Sequence, residues 1–143
     1  MTNPYVDTDV LIRFLTGDDP QKQAQAAALF QAIEDGQLIV EAPVTVIADA
    51  IYVLSSNRLY NLARPDVQAL LTPIVRLRGF QVTHRRTVLR ALELFGATRL
   101  DSGDCLIVAL MEQRGSTTLY SYDTEFDRIT TFQRQEPGPP QRS

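Results

Sequence analysis

Short apolar runs of strand length alternate with longer segments of helical period along nearly the whole chain, and this alternation most constrains the fold. Residues 4–7 read as a first strand that leads into a brief apolar helix over 10–15. Residues 21–36 are alanine-rich and follow Asp18, Asp19 and Pro20, residue types that favour a helix start. A second strand is predicted over 38–41, and Pro43 opens a helix over 43–56. Pro65 opens another over 65–78, stopped by Gly79, and a third strand follows over 80–83. Helices over 85–95 and 102–114 end at Gly96 and Gly115, and 117–122 is a β-branched and aromatic strand. Strand, helix, strand, repeated in this way, predicts an α/β fold with a parallel sheet.

A chain of 143 residues with 44% hydrophobic content has room for one domain with a single core. That domain is expected over 1–135, with a disordered tail over 136–143 that holds Pro137, Pro139 and Pro140. The N-terminus does not read as a signal peptide, because Asp7, Asp9 and Arg13 interrupt its apolar stretch. No run approaches the roughly 20 apolar residues of a membrane span. The lone Cys105, followed by Leu106, Ile107 and Val108, reads as a small core residue, and with no internal disulfide to form it points to a reducing cytoplasm.

The net charge of −3 argues against a general nucleic-acid binder. The distribution qualifies this, because Arg76, Arg78, Arg85, Arg86, Arg90 and Arg99 fall in one stretch with only Glu93 against them. That stretch is either a patch facing a polynucleotide or ordinary solvated helix surface.

In open parallel sheets the active crevice lies beyond the carboxyl ends of the strands, so acids at those ends carry the functional argument. Asp7 closes the first strand, Asp123 follows the strand over 117–122, and Asp104 lies in the first turn of the helix over 102–114. Each has a structural alternative: a turn for Asp7, a helix cap for Asp123, and for Asp101 with Asp104 an imitation of a capping box. Asp49 lies mid-helix among apolar residues, on a polar stripe of Thr45, Asp49, Tyr52 and Ser56 that either faces water or lines a polar site. Taken together, acids without cysteine or histidine partners suit Mg²⁺, or Mn²⁺, over zinc. The sole histidine, His84, is expected at the surface or a strand edge, and no nucleophile elbow accompanies it, which disfavours a serine–histidine triad.

Four segments in order, YVDTDVLIRFL at 5–15, PVTVIADAIYVL at 43–54, LDSGDCLIVALMEQRG at 100–115 and LYSYDTEFDRI at 119–129, resemble the PIN domain, and within it the VapC-type toxins of bacterial toxin–antitoxin pairs. The resemblance implies a three-layer α/β/α sandwich around a central parallel sheet of four to five strands. It implies a metal-dependent ribonuclease with Asp7, Asp49, Asp104 and Asp123 as its acidic site. Asp7, Asp104 and Asp123 would hold Mg²⁺ (or Mn²⁺), with Thr8 and Asp101 beside them. Asp9 stands where Asn is common, and Asp49 where Glu is usual, which shortens the side chain by about 1.5 Å and suits a role through water. The implied partners are RNA, a VapB-type antitoxin over the early helices, with Ile12, Leu15, Leu59 and Leu62 as groove candidates, and a second copy in a homodimer.

Two other readings remain. DTDV after a short strand also resembles the opening of haloacid-dehalogenase-type phosphatases, although the only lysine, Lys22, falls too early for that chemistry. A receiver-like domain lacks the same late lysine. The departures at Asp9 and Asp49 also allow a catalytically weak PIN module that binds RNA or protein.

Overall fold

A computed structural model describes residues 2–139. The N-terminal segment makes a single parallel bridge, Tyr5 to Glu41, held by the Val6 amide donating to the Glu41 carbonyl at 3.0 Å and the Glu41 amide to the Pro4 carbonyl at 2.9 Å. The chain then turns at once into α1 (Thr8–Leu15), two residues earlier than the apolar pattern predicts, because Asp7 is the N-cap and its side chain accepts from the Thr8 amide. α2 (Pro20–Glu34) opens as expected, with Asp19 accepting from the Lys22 amide and Pro20 in the first turn. β1 (Val40–Ala42) pairs in parallel with β2 (Phe80–Val82), in the register Val40 to Phe80 and Ala42 to Val82.

Between those strands lie α3 (Val44–Ser55) and α4 (Arg64–Arg76), and after them α5 (Arg85–Ala97) and α6 (Ser102–Arg114). β3 (Thr118–Tyr120) and β4 (Gln133–Gln135) form a second parallel pair across a 3₁₀ helix, Thr124–Arg128. Among the described residues the chain is therefore a mixed α/β structure of six helices and short parallel strands, its ladders hydrogen-bonded as two pairs. The expected tail falls on 136–143, of which 140–143 lie outside the described residues.

One core joins these elements. Leu11 of α1, Ile33 of α2, Ile47 and Leu54 of α3, Leu71 of α4, Leu92 of α5 and Val108 of α6 are all essentially inaccessible, together with Val40 and Phe80 from the strands. Each such side chain contributes about 1.5–3 kcal/mol through its removal from water. In α6 the buried residues Cys105, Val108 and Ala109 follow the three- and four-residue spacing of a single helix face. α4 and α5 approach closely at Gly96, where an added Cβ would collide with the Gln68 side chain.

Polar ties fix the helices in register. Arg90 of α5 reaches both Glu112 oxygens of α6, at 2.7 and 3.2 Å. Arg85 donates to the carbonyls of Leu77, Arg78 and Phe80, and so clamps the turn between α4 and β2. No helix of the described residues is long and apolar enough to cross a membrane.

Candidate active site

The predicted acids occupy element starts, with one exception. Asp7 caps α1, its Oδ1 accepting from the Thr8 amide at 2.7 Å. Asp101 caps α6, its Oδ1 accepting from the Asp104 amide at 2.8 Å, which places Asp104 in the first turn. Asp123 caps the 3₁₀ helix, its Oδ1 accepting from the Glu125 amide at 2.9 Å. The capping alternatives are thus real for Asp101 and Asp123, and Asp7, for which a turn is the alternative, also caps a helix; in each case the hydrogen bond uses one carboxylate oxygen and leaves the other.

Asp49 is the exception, standing mid-helix in α3. The buried face of α3 is Val46, Ile47, Ala50, Ile51 and Leu54, so Thr45, Asp49 and Tyr52 face outward as the polar stripe predicts. Both alternatives for that stripe hold at once. Asp49 is exposed, and with Tyr52 it lines a cavity of about 560 Å³ whose other walls include Asp7, Thr8, Asp9, Ile12 and Leu59.

The acids divide into two groups. Asp7, Asp9 and Asp49 share that cavity. Asp104 belongs with Asp101 and Asp123: partial burial first, then the negative charges of Asp101 and Asp123, raise its carboxyl above the ordinary carboxylate value. α3 packs against both α1 and α6, so the helix that carries Asp49 touches the helix headed by Asp7 and the one whose first turn holds Asp104. Among the described residues, no three acids, histidines or cysteines stand close enough to hold an ion as they are. The donors nevertheless suit a hard divalent cation, since they are carboxylates alone, and a cation beside Asp104 would oppose both the burial and the neighbouring acids that raise its carboxyl.

Other candidates resolve simply. Cys105 is buried, and burial pushes its thiol up to about 11, so it stays protonated within the core. His84 is exposed at the start of α5 with φ 59°, a left-handed position that the sequence reading did not anticipate. Of the four groove candidates, Ile12 and Leu59 line the cavity with Asp7 and Asp49, whereas Leu15 and Leu62 are half-buried against the core. Lys22 lines a different cavity, between α1 and α2, together with Asp9, Arg13 and Leu29.

The basic stretch disperses. Arg85 turns onto backbone carbonyls and Arg90 pairs with Glu93 and Glu112, while Arg76 and Arg78 lie at the far end of α4. Sequence reasoning missed Arg64 altogether. Its guanidinium sits 3.7 Å over the Phe95 ring and donates to the Phe95 carbonyl at 2.8 Å and to the Leu100 carbonyl, beside the cap of α6. A single arginine at the first position of a helix has no periodic signal that could have revealed this.

No curated protein matches the sequence. The profile of the PIN domain, a family typically of nucleases that use divalent metal ions and act on RNA or DNA, matches residues 5–131. That span takes in Asp7, Asp49, Asp104 and Asp123 with every element from α1 to the 3₁₀ helix, and the chain belongs to the PIN domain family.

Proposed function

We propose that this protein is a Mg²⁺-dependent endoribonuclease, with Mn²⁺ as an alternative ion, and that it acts as the VapC-like toxin of a toxin–antitoxin pair in the cytoplasm. Its nuclease domain spans 1–135, and the two parallel ladders belong to the central sheet of an α/β/α sandwich. The observation that carries the reading is the PIN-domain match over residues 5–131, which takes in Asp7, Asp49, Asp104 and Asp123; the Asp104 carboxyl, raised by burial and by the crowding of Asp101 and Asp123, agrees with it. Such crowding is unfavourable in the metal-free protein and is offset by a divalent cation.

In this reading Asp7, Asp104 and Asp123 would hold the ion once drawn together by it, and Asp101 fixes Asp104 by capping α6 through the Asp104 amide. An ion held there would supply a water of lowered pKa and offset charge on the scissile phosphate. Asp49, on the exposed face of α3, orients the attacking water, and the Thr8 hydroxyl hydrogen-bonds a ligand or a phosphate oxygen. Water adds to phosphorus and one bridging P–O bond breaks, which leaves a phosphate monoester and a hydroxyl. The cavity shared by Asp7, Asp49, Ile12 and Leu59 suits an antitoxin segment with an apolar face and a basic side chain. A homodimer is part of the same proposal.

Purified protein free of any antitoxin should cut RNA with Mg²⁺ or Mn²⁺, stop in EDTA, and lose cleavage in Asp7→Ala and Asp104→Asn. Growth arrest on expression, relieved by Asp104→Ala, tests the toxin role. A second reading rests on the separation of the acids, no three of which stand within holding distance of one ion among the described residues. In it the chain is a weakly catalytic PIN module that binds RNA or protein. Protein that binds RNA under all of these conditions and never cuts it establishes that second reading and sinks the first.

A further inference from the structure

A cavity of about 470 Å³ is lined by three arginines, Arg64, Arg99 and Arg128, with Pro65, Gly96 and Thr98 among its other walls and no carboxylate. Its volume falls within the roughly 300–1,000 Å³ of ordinary ligand sites. Three arginines on one cavity are notable in a protein of net charge −3, because like charges brought together repel, and Arg64 has a nearby acid, Asp101, to offset it. Arg99 and Arg64 make no ion pair among the described residues. Arg128 has only an exposed contact to Glu125 at 3.6 Å, the kind of surface pair that contributes little and that an anion displaces easily.

Chain connections tie the cavity to the acids. Arg64 donates to the carbonyl of Leu100, the residue before the Asp101 cap, and Arg99 lies in the same short connection between α5 and α6. Arg128 ends the 3₁₀ helix that Asp123 begins. At about 2.0 Å rise per residue, that helix sets Arg128 roughly 10 Å from Asp123. The wall therefore reaches both Asp101 and Asp123 through single short segments. We infer that the Arg64–Arg99–Arg128 cavity binds a backbone phosphate of the polynucleotide next to the one that is cut. Arg64, already oriented by the Phe95 ring and two carbonyls, offers a preset edge, while Arg99 and Arg128 are exposed and close on the phosphate oxygens as planar forks. The acids repel the polynucleotide on their own, and this cavity supplies attraction at a fixed offset from them.

This inference rests on the nuclease reading, and the experiment separates the two. Binding of a short single-stranded RNA to full-length protein in EDTA is measured across a salt series for the parent, Arg99→Gln, Arg128→Gln and, as control, Arg76→Gln. Arg76 ends α4 roughly 18 Å from Arg64, at about 1.5 Å per residue, and its side chain is exposed. Arg99→Gln and Arg128→Gln should each weaken binding several-fold at low salt and reduce the slope of log K against log salt by about 0.7, one phosphate contact on a single strand. Arg76→Gln should match the parent. Unchanged slopes in both cavity variants, or an equal loss in Arg76→Gln, overturn the inference. Inorganic phosphate titrated alone at constant ionic strength should bind weakly. Tight binding that Arg99→Gln abolishes while the RNA slope stays fixed would make the cavity a free-phosphate site and overturn the inference as well. Cleavage of the same RNA with Mg²⁺ is scored separately: cleavage with unmoved slopes sinks the cavity alone, and altered slopes without cleavage sink the nuclease reading alone.

Discussion

At the scale of single residues, the balance between capping and charge at the head of α6 makes the most specific claims. Burial, then Asp101 and Asp123, raise the Asp104 carboxyl above its ordinary value of 3.8. The raised folded-state value means that the folded protein favours neutral Asp104. The corresponding stability is fully present below the ordinary value and is lost as pH rises through the raised one. Metal-free Asp104→Asn should therefore melt at a higher temperature than the parent at neutral pH, and the difference should close in acid. Equal melting temperatures at both pH values would remove the charge-crowding argument. Asp101→Asn keeps a capping oxygen on the Asp104 amide and deletes one negative neighbour, so a carboxyl titration followed by NMR should show Asp104 ionising at lower pH. Asp101→Ala loses the cap as well, at about 1 kcal/mol in denaturant unfolding. Asp49→Asn should slow RNA cleavage by about 10–100-fold, the usual cost of a group that acts through another ligand. Asp49→Glu should retain cleavage, since the longer side chain extends the same carboxylate into the cavity it already lines.

At the scale of elements, the helices were legible because their signals are local. Asp19 with Pro20 starts α2, the spacing of Cys105, Val108 and Ala109 sets the inner face of α6, and Gly115 ends it. Gly115 holds φ 71° and donates to the Glu112 carbonyl, a left-handed cap that costs other residues about 1–2 kcal/mol. Gly115→Ala should therefore destabilise the fold by roughly 1 kcal/mol, read as a lower denaturant midpoint with an unchanged slope. β1, β2 and β3 form where strands are expected over 38–41, 80–83 and 117–122, read from short apolar or β-branched runs, since three residues are too few to establish a two-residue period. β4, Gln133–Gln135, is wholly polar and has no β-branched or aromatic residue to announce it. Asp7 was read as a strand end with a turn as its alternative, yet it starts a helix; a bridge of one residue leaves the cap as the stronger local determinant. The arginine cavity was invisible for another reason. Arg64, Arg99 and Arg128 come from three separate segments, and only the packing of α4 against α5 and the path of the 3₁₀ helix bring them together.

Across the whole molecule, charge is segregated in a way that couples stability to the ion. Asp7, Asp9 and Asp49 line one cavity, and Asp101, Asp104 and Asp123 crowd together. Arg13 lines the first cavity but pairs with Asp18, and Arg64 lies near Asp101 while donating to backbone carbonyls. The metal-free fold thus carries repulsion that its hydrophobic core must exceed. A divalent cation that binds the folded state alone adds stability by mass action, about 2.7 kcal/mol at a hundredfold excess over its dissociation constant. Mg²⁺ should therefore raise the melting temperature well beyond NaCl of equal ionic strength, and Mn²⁺ should do the same. The increment should shrink as acid protonates the carboxylates, since ligand oxygens must be charged to hold the ion. It should vanish in Asp7→Ala, where the same substitution lowers cleavage by about a thousandfold, or about 4 kcal/mol of lost transition-state stabilisation. Because melting needs no RNA, it tests the acids as an ion site independently of catalysis. A Mg²⁺ increment that survives both Asp7→Ala and Asp104→Asn would place the ion elsewhere on the molecule and detach the acidic crevice from the chemistry proposed for it.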